Sequence, residues 1–412
     1  MDEKHFAALA GWIAEAGLAG QSETAIVGGV CERVVAAGVP LARATVLVDT
    51  LHPIYEGRAV FWRRGGEIRF TEYGPSDTGP VADNWRRSPF YHLFNSSETM
   101  LRRRCTPEGG AEFPLVAELA GEGMTDYVAF VSRIAAEGVI GNMDCVYSSW
   151  VADAPEGFGD DEVAFFERLV PLVALAVKSA SLARIAGTLV ETYLGRDAGR
   201  RVLSGRIARG VADRIEAVLW FSDLRSYTRI TDAAAPEQII PLLNDYADAV
   251  ISAIHDAGGD VLKLMGDGTL AIFTAADRGE ACRAAIAAAR NARIAVAALN
   301  ERRAAESLPV TELYLGLHAG EVFYGNVGSE SRLDFTVVGP AVNEVSRIAA
   351  MCRSVDQPIL LSSAFVKAVG IEDKRFVSVG RFALRGVGES QHLYTVDPAL
   401  QAQIAGRLSP GG

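Results

Sequence analysis

This 412-residue chain is poor in the features that mark stapled, metal-clustered or nucleic-acid-gripping proteins. Its five cysteines, Cys31, Cys105, Cys145, Cys282 and Cys352, are widely scattered, and no two stand as CxxC. That scatter supports neither a disulfide framework nor a zinc site, and fits reduced thiols buried as small hydrophobes. The six histidines show no metal-ligand spacing. The formal charge is −11 and no long basic run is present, so no nucleic-acid partner is expected. The longest apolar run, residues 169–177, contains Pro171 and stops at Lys178. It falls far short of the ~20 residues a membrane span needs. The opening MDEKHFAALAGWIAEAG is acidic and amphipathic rather than a signal peptide, and a cytoplasmic location is expected. No internal repeat or low-complexity segment is seen; only the tail, LSPGG, reads as disordered.

What is present reads as a soluble globular chain, 49% hydrophobic and 22% charged, long enough for two domains. The pattern divides into residues 1–158, 159–212, 213–398 and a flexible tail, 399–412. In the first region two amphipathic helices part near Gly17 and Gly20. Short strands follow, ARATVLVDT, RAVFWRRG, YVAFVSRI and CVYSSW, spaced by turn residues. That order suggests an α+β domain with an antiparallel sheet. In the second region Asp160 and Asp161 start a helix running toward Tyr193. Along it Leu172, Leu175, Ser179, Leu182, Ala186, Leu189 and Tyr193 recur alternately three and four apart. This is a heptad seam, and a parallel coiled-coil stalk joining two copies is expected. A single helix packed on its own domain has the same pattern and stays open. The third region runs strand, helix, strand-turn-strand, helix, strand, the β-α-β-β-α-β order of a ferredoxin-like fold.

Two carboxylates stand out in this third region. Asp223 ends the apolar strand AVLWFS, and Asp267 sits in the turn GDG between two strands. In a β-α-β-β unit the first strand lies beside the hairpin, so the two acids can meet at one edge. Facing carboxylates repel unless a cation lies between them. Few, hard oxygen ligands suit Mg²⁺ or Mn²⁺ that keeps waters and substrate phosphates as its other ligands. Taken singly, Asp223 is an ordinary cap and Asp267 an ordinary turn residue. Lys263 lies inside the same apolar strand, four residues before Asp267; alone it reads as a snorkelling edge-strand lysine. Asn343 and Arg347 lie at i and i+4 and share one helix face.

The segments FSDLRSYT, GGDVLKLMGDG and FTVVGPAVNEVSR, in this order, resemble the catalytic domain of the class III adenylate/guanylate cyclases. The resemblance covers residues 214–396. It implies that Asp223 and Asp267 bind two divalent ions per site, Mg²⁺ or Mn²⁺. It implies that Lys263 and Thr336 read the purine, with lysine favouring adenine where guanylate cyclases usually carry glutamate. Asn343 would orient the ribose and Arg347 would stabilise charge at the α-phosphate. The backbone of Leu224, Ser226, Tyr227 and Thr228 would cradle phosphates, as a strand-to-helix turn can. Arg385 in FALRGVGES stands where the family often has a phosphate-contacting lysine. The implied activity is conversion of ATP to 3′,5′-cyclic AMP and pyrophosphate at sites shared between the two chains of a homodimer. The alternatives are a guanylate cyclase or a nucleotide-binding signalling protein without turnover. A diguanylate cyclase is disfavoured, because no Glu-Phe follows the GGD at Gly258. Residues 1–158 resemble, more faintly, a GAF-type sensor domain receiving an unknown small-molecule or protein signal. His52 and His92 there, and the aromatics Trp62, Trp85, Phe90, Tyr91 and Phe94, read as structural rather than as a cofactor box.

Overall fold

The computed structural model describes residues 3–74, 79–106, 112–134, 140–141, 143–370 and 375–397. The expected flexible tail lies outside the described residues. The chain divides into two compact units between Leu189 and Val190.

The first unit opens with helices α1 (Glu3–Leu18) and α2 (Glu23–Ala36). Ser22 caps α2, its hydroxyl accepting from the Ala25 amide at 3.3 Å. The unit's strands are β1 (Leu41–Asp49), β2 (Gly57–Arg63), β3 (Arg69–Tyr73), β4 (Met100–Arg104), β5 (Asp126–Arg133) and β6 (Cys145–Ala152). They form one antiparallel sheet in the order β3-β2-β1-β6-β5-β4. β3 and β4 escape the sequence reading because each is only five residues long. Among the described residues three short helices lie between strands: α3 (Gly79–Arg86), α4 (Pro89–Asn95) and α5 (Pro114–Gly121). One sheet face packs on α1, α2 and the long helix α6 (Asp160–Leu194); the other packs a smaller core with Phe90, Leu93, Val116 and Leu119. Trp62 and Phe90 are buried core, as expected; His52 accepts from the Ile54 amide at 3.1 Å.

The seam residues of α6 divide between two surroundings. Val173, Val177 and Ile185 are buried in the unit's core, and Leu172, Leu182 and Leu189 pack against it. Leu175 and Tyr193 are exposed. The helix is apolar on more than one side, so the heptad count alone mixes core-facing and solvent-facing positions. It also stops at Leu194, because Gly195 takes φ 90°, and a short α7 (Arg196–Leu203) follows. By length and composition α6 is the one described helix apolar enough to cross a membrane. Much of its apolar surface is buried among α1, α2 and the sheet, as in the core helix of a globular unit.

The second unit is built around β7 (Ala212–Leu224), followed by α8 (Tyr227–Ala233), α9 (Pro236–Asp256), β8 (Asp260–Met265), β9 (Gly268–Phe273), α10 (Arg278–Ala305) and β10 (Leu313–Gly328). Then come β11 (Leu333–Val338), α11 (Pro340–Val355), β12 (Ile359–Ser362), α12 (Ser363–Val369), β13 (Phe376–Phe382) and β14 (Gln391–Val396). The sheet runs β13-β14-β12-β10-β7-β9-β8, with β11 folded back on β10. The stretch β10-β7-β9-β8 is the ferredoxin-like arrangement expected from the element order.

Packing follows from spacing. α9 buries Leu242, Tyr246, Val250, Ala253 and Ile254, a stripe with helical period. α10 buries alanines 281, 285, 288, 289 and 292, small enough for close approach to the sheet. On β10, Gly316, His318 and Gly320 alternate onto one face. A Cβ at Gly316 would lie 2.7 Å from the Ala349 amide nitrogen, and one at Gly320 would lie 2.8 Å from the Ala341 Cβ. α11 therefore sits directly on β10 through these two glycines.

Candidate active site at the strand ends

Asp223 lies at the end of β7, and Asp267 in the β8–β9 turn. β7 pairs with β9 up to Ser222 opposite Thr269, which brings the two acids to one corner of the sheet. The Leu224 amide donates to Asp223 Oδ1 at 3.1 Å and reaches Asp267 Oδ2 at 3.4 Å. Burial, and then Asp267 beside it, push the Asp223 carboxyl up from 3.8 to about 6. Arg353 opposes that rise weakly. The corner thus holds two like charges with one shared donor, a set that fits a hard divalent cation completed by water and phosphate oxygens. Among the described residues no group of three or more His, Cys, Asp or Glu forms a self-sufficient metal cage.

The chain turns sharply just after Asp223. Leu224 is buried and anchors the turn, and Ser226 takes a left-handed conformation, φ 58° and ψ 25°. Ser226 makes no side-chain cap, so α8 starts with amide groups that no side chain satisfies. Tyr227 packs against the core, and burial, then the nearby Asp267 charge, raises its phenol. Thr228 is exposed. Left-handed geometry costs a non-glycine residue about 1–2 kcal/mol, and glycine's extra chain entropy takes back part of that. Ser226→Gly is therefore expected to stabilise the fold by about 0.5 kcal/mol, roughly 1–2 °C in Tm. Thermal unfolding of the two proteins checks this, and a lowered Tm contradicts it.

Lys263 stands on the edge strand β8, beside a register shift between Val261 and Lys263. Its ammonium pairs with Asp334 on β11. Thr336 lies two residues further along β11 and so shares a strand face with Asp334. Asn343 and Arg347 are both exposed on α11, and Arg347 makes no ion pair with any described residue. These observations bring Asp223 and Asp267 together with the turn after β7, and bring Lys263 to Asp334, on the strand face of Thr336; Asn343 and Arg347 stand on the exposed side of α11.

Residues 212–397 match the family described as Adenylate and Guanylate cyclase catalytic domain. An adenylate cyclase of Anabaena cylindrica is 31% identical over 195 residues, spanning 46% of this chain and 37% of that protein. Adenylate cyclase 1 of Rhizobium meliloti is 27% identical over 216 residues, spanning 51% of this chain and 32% of that protein. Residues 212–397 form a class III cyclase catalytic domain. The chain spans about a third of the length of these curated relatives. Among solved structures, the guanylyl cyclase Cya2 is 29% identical and covers 45% of this chain and 93% of its own, with a TM-score of 0.40.

Within this cyclase domain Arg385 falls in the exposed turn between β13 and β14, held by the buried Leu384 before it and Gly386 at φ 80° after it. It makes no ion pair with a described residue. Two further positions escaped the sequence reading. Asp334 immediately precedes FTVVG, and its i, i+2 relation to Thr336 was the available signal. His318 is buried on β10, its Nε2 3.7 Å from Glu344 Oε2 on α11. Burial lowers it to about 4, so the ring is neutral near pH 7. Glu344 neighbours Asn343 in sequence, so this contact supports the segment carrying Asn343. A lone histidine without ligand spacing gives no such signal in sequence.

Proposed function

We propose that the protein is a cytoplasmic adenylate cyclase that works as a homodimer and is regulated by its first unit, a GAF-like sensor. The observation that carries the reading is the pairing of Asp223 and Asp267 at one strand corner, apart from the Lys263–Asp334–Thr336 group. A complete site draws one group from each copy. The surface around the second group favours such an arrangement. Phe323 and Val327 on β10 and Val338 on β11 are exposed and by register share the strand face of Asp334 and Thr336. Apolar side chains gathered on one side of a domain mark a surface to be covered.

In this proposal the substrate is ATP, and its ribose 3′-hydroxyl attacks the α-phosphorus while pyrophosphate leaves in line. Asp223 and Asp267 would hold two Mg²⁺ or Mn²⁺ ions, which supply nucleophile activation and charge neutralisation when bound. The amides of the turn at Leu224, Ser226, Tyr227 and Thr228 orient phosphate oxygens. Lys263 donates to the adenine ring, and Asp334 fixes that ammonium in place while Thr336 offers its hydroxyl to the base. Asn343 orients the ribose, and Arg347 stabilises charge at the α-phosphate. Arg385 adds a cation for the terminal phosphates. Rate enhancement comes from positioning and fixed charge rather than from a covalent intermediate.

The test is product formation by the purified full chain, with ATP and GTP side by side and with Mg²⁺ and Mn²⁺. Cyclic AMP from ATP in clear excess over cyclic GMP from GTP is the expected result. Preference for GTP overturns the adenylate assignment, and turnover of neither nucleotide overturns the enzyme.

A further inference from the structure

The main chain leaves β7 just after Asp223 and must be held there by something other than the sheet. The β7–β10 ladder ends with Leu224 opposite Leu313. One residue further, the Arg225 amide still reaches the Glu312 carbonyl, at 2.8 Å. The Arg225 carbonyl lies past the ladder, where Ser226 turns the chain away in its left-handed conformation. The Thr311 hydroxyl takes the place of a strand partner, donating to that carbonyl at 2.6 Å.

Thr311 is 6% exposed and is itself fixed by α9 and α10. Its amide donates to the Tyr246 hydroxyl on α9 at 2.8 Å. Its carbonyl accepts from Asn300 Nδ2 on α10 at 2.7 Å. The Tyr246 hydroxyl in turn donates to Asn300 Oδ1, which closes a ring. Beside it the buried Arg303 donates to the Pro309 carbonyl at 2.9 Å and pairs with Asp245. A buried polar network satisfied in this way is rigid. Both helices therefore reach the end of β7 through one hydroxyl.

Arg225 follows Leu224, whose amide links the Asp223 and Asp267 carboxylates, and precedes Ser226. A left-handed residue other than glycine persists where its surroundings over-determine it. The Arg225 guanidinium adds an ion pair with Glu312 at 2.7 Å, but both side chains are solvent-exposed and the pair is weakened accordingly. The buried Thr311 bond is the firmer restraint.

We infer that Thr311, backed by Tyr246 and Asn300, is a positioning residue for the nucleotide's phosphates. It sets the path of residues 224–226, and with it the aim of the carboxylate corner and of the amides that follow. It touches neither metal nor nucleotide itself. The inference deepens the proposed function and rests on it.

The test uses the full chain and magnesium pyrophosphate, a probe that needs the corner and the turn but no purine. Its Kd is read by calorimetry beside steady-state kinetics with ATP, well below each protein's Tm. Thr311→Val keeps the side-chain shape and removes the hydroxyl. It should raise KM for ATP and the pyrophosphate Kd together, each about tenfold. Thr311→Ser keeps the hydroxyl and should return both to within about twofold of the wild type. Tyr246→Phe leaves the Thr311 amide unpaired and should shift both constants in the same direction; it decides the matter if Thr311→Val does not fold. A purely structural brace would lower kcat through fewer folded molecules and leave KM and Kd unmoved, and that result overturns the inference. So does a Thr311→Ser protein as impaired as Thr311→Val. A wild type that binds pyrophosphate but forms no cyclic nucleotide overturns the proposed function, and the Kd values alone then judge the brace. A wild type that binds no pyrophosphate overturns both.

Discussion

Asp223→Ala and Asp267→Ala should each lower metal-dependent turnover by at least about 10³-fold, while the fold survives. The reason is that each removes half of the paired-carboxylate corner where β7 ends and β9 begins. Mixing distinguishes a shared site from a self-contained one. Asp223→Ala protein combined with Asn343→Ala protein gives heterodimers with one corner and one α11 pair intact. With random pairing, about a quarter of the wild-type rate should return. Two inactive proteins that stay inactive together count against sites assembled from two copies. The same corner makes a stability prediction. Asp223 has its carboxyl raised from 3.8 to about 6, so the folded chain without metal binds a proton that the unfolded chain has released. Stability without metal therefore falls as pH rises through that window and stays low above it. Asp223→Asn should raise the Tm of metal-free protein at pH 7.5, by roughly 2–4 °C for about 1 kcal/mol. Mg²⁺ should then raise the Tm of the wild type and leave the variant unmoved.

Lys263→Glu should reverse the sign of the group presented to the base and cut kcat/KM for ATP by about 10²-fold. The ion pair with Asp334 sharpens this expectation. Glutamate at residue 263 would face the Asp334 carboxylate on β11, and like charges at that range repel. The single change should thus lose ATP use without gaining GTP use. Adding Asp334→Asn removes the repulsion and frees the new carboxylate to accept from a guanine. Steady-state kinetics with both nucleotides on the three proteins decide the matter. Unchanged ATP kinetics in Lys263→Glu would remove Lys263 from base reading.

The order of elements was readable because alternation and helical period differ so plainly between the strand 217–223 and the stripes of α9 and α10. The meeting of Asp223 with Asp267 was readable for a related reason: hairpin strands next to a first strand leave few other places for their ends. The pairing of Lys263 with Asp334 was not, because it depends on β11 folding back beside the sheet edge, and nothing local to either residue encodes that. The first unit was less legible. Its two five-residue strands and three short helices carry too few residues for a period to emerge. The seam on α6 is hard to read for the opposite reason, an excess of apolar residues around the helix that satisfies two patterns at once.

The glycine seats of α11 on β10 carry a consequence for control. A helix resting on bare backbone at two points has no side-chain cushion to compress. It cannot slide or roll without parting from the strand. Under the regulation proposed above, a signal would act between whole cyclase domains, leaving each one's interior as it was.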